Sequence, residues 1–208
     1  LSVQMNILKT LNTIAQCSQP SQGVTRLPFT KEHKQANKII TQWMKDAGMQ
    51  VHLDAAGTLI GTYKSSNKNA KTLILGSHQD SVINAGRFDG IMGVLLPILA
   101  VKKLHQKKTK LSFHIECVAF ADEEGHFGEL IGSNSLVGNL TDEMLDKARN
   151  RTDGTPLREA LARVGLAAAP RTLIDRERYV GMFEAHIEQG SSLEADGNLI
   201  GNLLSRAL

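Results

Sequence analysis

The sequence predicts an α/β protein: a three-layer sandwich with a mainly parallel central sheet and helices on both faces, apparently truncated. Three observations carry this. Strand-like apolar runs alternate with stretches of helical period along the chain, the pattern of strand–helix units. The run that ends at Phe120 is apolar on consecutive positions, as in strands covered on both faces. Apolar runs also end in histidine and carboxylates, and open α/β sheets collect ligand-binding groups at the carboxyl ends of their strands.

Taken in order, Ser2 to Gln16 carries Val3, Ile7, Leu8, Leu11 and Ile14 at a helical period. Ser18 to Phe29 is rich in Ser, Gln, Gly and Pro and reads as a loop. Thr30 caps a helix through Ile39, Ile40, Trp43 and Met44 that Gly48 stops. Met49 to Leu53 and Thr58 to Tyr63 form a strand pair around a turn. Ser65 to Lys71 is polar and exposed, and a short strand follows over Leu73 to Leu75. A helix from about Gly90 to Leu104 contains Pro97, which removes a backbone bond and should kink the axis. Leu111 to Phe120 is a strand. Thr141 to Arg149 and Pro156 to Ala169 are helices, the second with Thr155 as N-cap and Pro156 at N1. Tyr179 to Glu188 is a strand, and Asp196-Gly197 centres a hairpin over 192–203. The chain then stops with no closing helix.

Composition excludes several function classes. The 208 residues hold 41% hydrophobic and 22% charged residues with a net charge of +3, ordinary for a globular chain. The lysine clusters Lys102-Lys103 and Lys107-Lys108-Thr-Lys110 sit where a helix should end and complement its dipole. The few aromatics are not interleaved with them, so no nucleic-acid partner is expected. No apolar stretch is long enough to span a membrane. The chain begins at Leu1, without methionine and without a signal pattern. Cys17 and Cys117 lie far apart and read as free thiols of a reducing compartment. Cytoplasmic localisation is the expectation.

Chemistry concentrates in three stretches. His78 and Asp80 are two apart at a strand end, where a carboxylate can fix the tautomer of a metal-binding imidazole. A histidine bonded to a neighbouring acid is the plainer alternative. Asp89 precedes the helix and can swing back over the same strand end to bridge two cations, or serve only as an N-cap. Glu123 and Glu124 are adjacent carboxylates, tolerable together where a cation neutralises one; on alternating sides of a strand, one would bind metal and the other act as a base. A solvated acidic turn is the alternative. His186 closes the third run and would otherwise be a core histidine. The three stretches together point to a metal site.

Gly76-Ser-His-Gln-Asp-Ser-Val82 with Gly86-Arg-Phe-Asp-Gly90, Phe120-Ala-Asp-Glu-Glu-Gly125 with Gly132-Ser133, and His186-Ile-Glu-Gln-Gly190 with Leu193-Glu194 resemble the dinuclear amidohydrolases. That family includes N-carbamoyl-L-amino-acid hydrolase, allantoate amidohydrolase and β-ureidopropionase, relatives of aminoacylases and dinuclear zinc peptidases. The resemblance implies two divalent metals (zinc, manganese, cobalt or nickel). His78, Asp89 and His186 would hold one, and Asp89, as the bridge, with Glu124 the other. Glu123 would be the catalytic base, Asp80 would orient His78, and Gln189 would bind substrate. The implied reaction is hydrolysis of a carbon–nitrogen bond in a carbamoyl or ureido compound; an aminoacylase or dipeptidase acting on ordinary amides is the alternative.

The resemblance also implies parts that lie outside these residues. The second metal's remaining ligand comes, in the family, from a late histidine. A further domain serves dimerisation to a homodimer and grips the substrate carboxylate. Residues 1–208 are therefore expected to be the N-terminal part of the metal-binding catalytic domain, and a catalytically silent metal-binding fragment is the competing expectation. His126 is the one spare histidine near the site.

Overall fold

The structure, a computed structural model, describes residues 6–128 and 130–201. Its centre is a five-stranded sheet ordered β1-β2-β4-β3-β5, built from β1 (Gln50–Leu53), β2 (Leu59–Tyr63), β3 (Thr72–His78), β4 (His114–Phe120) and β5 (Tyr179–Phe183). β1 and β2 pair antiparallel, as do β2 and β4, whereas β3 runs parallel to both β4 and β5. β2 alone therefore opposes the others, so the sheet is mixed but mainly parallel in strand direction, as expected. The β3–β4 register pairs Ser77 with Ala119 and His78 with Phe120, so both strands end at the same level.

Side chains alternate across this sheet, and each face has its own core. Leu59, Ile115, Cys117 and Ala119 pack against α1 (Ile7–Ile14), α2 (Lys31–Asp46) and α3 (Ile91–Gln106) through Leu11, Ile14, Ile40, Met44, Val94, Leu95 and Ile98. The opposite face carries Ile60, Ile74, Val118 and Phe120 under Leu136 of α4 (Ile131–Leu136). A third cluster ties α4 to α5 (Asp142–Lys147) and α6 (Leu157–Arg163) beside the carboxyl ends of the strands. β5 is an edge strand, with Phe183 67% and Val180 57% exposed.

Local chemistry explains the element boundaries. Thr30 accepts from the His33 N–H at the start of α2. Gly48, at φ +80°, ends that helix: its own N–H reaches Lys45 O, and the Met49 N–H reaches Met44 O. Pro97 lies buried inside α3, four residues after Gly93, whose carbonyl it leaves without a helical donor. Both cysteines are free and buried.

Three expectations fail locally, and α4 carries no expectation from the sequence, its six residues being too short for a period to register. α6 begins with Pro156 itself as N-cap and stops at Arg163, because Gly165 at φ +86° reverses the chain. β5 ends at Phe183, five residues early. The expected hairpin is a short helix, α7 (Ser192–Ala195). Its Asp196-Gly197 is a helix cap: the Gly197 N–H bonds Glu194 O and the Asn198 N–H bonds Leu193 O. The end of that hairpin, 202–203, and the helical position Val3 lie outside the described residues.

Candidate metal centre

His78, the last residue of β3, is buried, and its Nδ1 lies 3.0 Å from the Asp80 main-chain carbonyl. That contact leaves Nε2 for a ligand. Asp80 thus meets the imidazole through its carbonyl, and its carboxylate has a different task. It accepts from the Glu123 N–H (3.3 Å) and the Glu124 N–H (3.2 Å), joining the ends of β3 and β4.

Glu123 and Glu124 lie in a turn beyond β4, so strand alternation does not separate them as expected. Asp122, fully buried with φ +57°, reverses the chain and turns the two main-chain amides toward Asp80. Glu123 keeps an exposed carboxylate 3.6 Å from His78 Nε2.

The N-cap alternative for Asp89 falls away, because α3 starts on Gly90 with no side-chain cap bond. Asp89 Oδ2 accepts from Gln189 Nε2 at 3.2 Å. Asp89 Oδ1 is buried with no hydrogen-bond donor among the described residues and lies 3.3 Å from His186 Nε2. The His186 Nδ1, in turn, is 2.7 Å from Ile187 O. His186 sits in the loop after β5, anchored where Ser77 Oγ donates to Glu184 and where α3 passes close. A Cβ on Gly93 would lie 2.5 Å from Ala185 O.

One ligand atom each from His78, Asp89 and His186 comes within 4.8 Å of the others. These three side chains, Glu123, Glu124 and Gln189 line one cavity of about 400 Å³, together with Gly125, Gly128, Leu130 and Arg151. All but Asp80 of the predicted site residues therefore share a single cavity, and Asp80 braces it from behind. Glu124 lies outside the tight group of three. His126 does not join: its Nε2 is 3.4 Å from Thr152 Oγ1. Arg151 was missed by sequence reasoning, because nothing local in Asn150-Arg-Thr-Asp153 marks it; only the fold brings it beside Gly125 and Gly128.

The electrostatics suit a cation. Burial raises Asp80 above the usual carboxylate range, against His78 and the two main-chain N–H groups. Burial also raises Glu124, with further upward pressure from Asp89, Glu123 and Asp80. Asp122 is pushed up to about 7 by burial and then by Asp80. For His78 burial works downward, but Asp80, Glu123 and Glu124 outweigh it and hold the imidazole above its ordinary value. Crowded carboxylates facing two Nε2 lone pairs form a mixed N/O donor set of the kind divalent transition metals occupy, and the orphaned Asp89 Oδ1 is a donor atom in want of one.

Residues 74–201 match the peptidase family M20/M25/M40. An N-carbamoyl-L-amino acid amidohydrolase of Geobacillus stearothermophilus is 42% identical over 190 residues, covering 88% of this chain and 45% of that protein. Allantoate deiminase 1 of Glycine max is 32% identical over 199 residues, covering 92% and 41%. The crystal structure of an amidase of the hydantoinase/carbamoylase family from Burkholderia phymatum superposes with a TM-score of 0.84 at 34% identity, covering 92% of this chain and 46% of that one. The chain spans about half the length of the curated relatives it matches. No described helix is long and apolar enough to cross a membrane.

Proposed function

Because the chain belongs to peptidase family M20/M25/M40, we propose that it forms the metal-binding part of a hydrolase that cleaves non-peptide C–N bonds in small carbamoyl or ureido compounds. The observation that carries the proposal is the convergence of His78, Asp89 and His186 within 4.8 Å, beside the exposed carboxylate of Glu123. The names of the relatives, which include N-carbamoyl-L-amino acid amidohydrolase and allantoate deiminase, support the substrate class.

In this reading His78, Asp89 and His186 hold one divalent cation, and Asp89 with Glu124 contributes to a second. Zinc, manganese, cobalt and nickel all suit these donors. When bound, such ions polarise a carbonyl and lower the pKa of water to roughly 7. Glu123 takes the proton from the attacking water and returns it to the leaving nitrogen, the part of a base that is near the centre yet solvent-accessible. Asp80 holds both strand ends together. Gln189 would turn the amide that here donates to Asp89 toward the substrate. The remaining ligand of the second cation and the homodimerising, carboxylate-gripping domain would come from outside these residues. Two buried free thiols suit a reducing compartment such as the cytoplasm.

The test is metal content combined with a panel of N-carbamoyl amino acids, N-acyl amino acids and allantoate, assayed on the chain and on the longest reading frame that contains it. Turnover confined to carbamoyl or ureido compounds is expected; preference for N-acyl substrates would favour an aminoacylase. Glu124 lies outside the tight group of three, which favours a second reading: an incomplete centre that binds one ion without turnover. One metal per chain and no activity in either form would establish that reading.

A further inference from the structure

The segment 18–29 has the composition of a surface loop, yet Val24 through Phe29 are buried. It is tied to the loop that follows β3. Val24 and Ala85 exchange both main-chain bonds, at 2.9 and 2.8 Å. Two residues after Val24 comes Arg26, 2% exposed, a cost the fold bears only where the guanidinium is well used.

Among the described residues, every hydrogen bond of that guanidinium ends on a main-chain carbonyl. Nε donates to Gln79 O at 2.7 Å, and Nη1 donates to Ile14 O at 3.3 Å and to Cys17 O at 3.2 Å. The main chain of the same residue grips Ser81: the Arg26 N–H donates to Ser81 Oγ at 2.9 Å, and Arg26 O accepts from the Ser81 N–H at 3.1 Å. Gln79 and Ser81 flank Asp80, whose carbonyl holds His78 Nδ1 at 3.0 Å. The Asp80 peptide is thus clamped on both sides by one residue, and the imidazole leans on that peptide.

We propose that Arg26 is a positioning residue of the candidate metal centre: it fixes the Asp80 carbonyl and so keeps the proton of His78 on Nδ1 and the lone pair of Nε2 turned into the cavity. The proposal rests on the metal-centre reading for its consequence, but not for its geometry. Lysine offers no planar fork to reach Gln79, Ile14 and Cys17 together. Burial lowers the guanidinium from its ordinary value, partly opposed by the Cys17 thiol and the Asp80 carboxylate, consistent with a cation held on dipoles behind a buried acid.

The test uses the full 208-residue chain in three variants, Arg26→Met, Arg26→Lys and Ser81→Ala. Nitrogen-15 spectra of the imidazoles in the metal-free protein, taken at a pH where the His78 ring is neutral, read its tautomer, and zinc titration well below each unfolding midpoint reads affinity. A single Nδ1–H tautomer is expected for the wild type. Arg26→Met should mix tautomers and weaken zinc by about tenfold or more, the scale on which supports of metal ligands act. Arg26→Lys should recover part of both, and Ser81→Ala should shift both in the same direction. A merely structural arginine would lower the unfolding midpoint and leave tautomer and affinity alone, and that result in the folded variants overturns the proposal. If Arg26→Met does not fold, the other two variants decide. A wild-type chain that takes up no zinc would defeat the metal reading, while the tautomer would still judge Arg26.

Discussion

Gly90→Ala should separate metal binding from folding more sharply than removal of a ligand. Gly90 has φ +63° and ψ −56°, a conformation that costs an alanine about 1–3 kcal/mol. A Cβ there would sit 2.5 Å from His78 Cε1 and 2.6 Å from both ring nitrogens. Ordinary contact needs about 3.5 Å between such atoms, so the ring must retreat by about 1 Å. Metal–nitrogen distances tolerate only about 0.2 Å, and the 3.0 Å contact of Nδ1 with Asp80 O is lost as well. We expect the folded variant to lose about 1–3 kcal/mol of stability in urea and to bind zinc about 100-fold more weakly in a chelator competition, as if one ligand were gone. Gly86→Ala, in the same loop with nothing within 4 Å of its added Cβ, should match the wild type in both measurements. If Gly90→Ala binds zinc within threefold of wild type, the imidazole is not where the metal sits, and the reasoning fails.

Three further outcomes follow from other residues. Glu123→Gln should leave metal content unchanged and abolish turnover by any active form, a loss of at least about 100-fold; retained rate would remove Glu123 as the base. Asp54, fully buried, is raised from 3.8 to about 6, by burial above all, so the folded state holds its proton over that window and stability falls as pH rises through it. The shift of about 2 units corresponds to about 3 kcal/mol as an upper bound. The stability difference between wild type and Asp54→Asn should therefore move toward the variant by up to about 3 kcal/mol between pH 4 and pH 7, and a pH-independent difference in urea midpoints would contradict this. Gly76→Ala would place a Cβ 2.1 Å from Val118 O in the neighbouring strand and should destabilise by about 3 kcal/mol or more, read by urea denaturation.

The residues that gather at the candidate site stand out in the sequence as plainly as the main elements of the fold, for physical reasons. Metal chemistry demands particular residue types, so His78, Asp89, Glu123, Glu124 and His186 stand out wherever the chain places them. Long periodic elements such as α2 and α3 are equally plain. The failures come where tertiary contacts decide. Asp196-Gly197 serves a hairpin or a helix cap with the same left-handed glycine, and only the bonds to Leu193 and Glu194 choose the cap. Proximity in sequence suggested that the Asp80 carboxylate holds His78; the turn at Asp122 gives that carboxylate two main-chain amides instead. Arg26 and Arg151 owe their places to contacts with distant segments, and no local pattern announces either.

His186 follows β5, the strand at the margin of the sheet, whose outer side chains stand largely in solvent. Of its partners, His78 ends the interior strand β3 and Asp89 lies in the loop just before α3. A cation bridging them would therefore act as a rivet: the work of seating the outermost strand and the work of capturing the ion would be one equilibrium. Anything that peeled the margin away would then also loosen the hold on the ion.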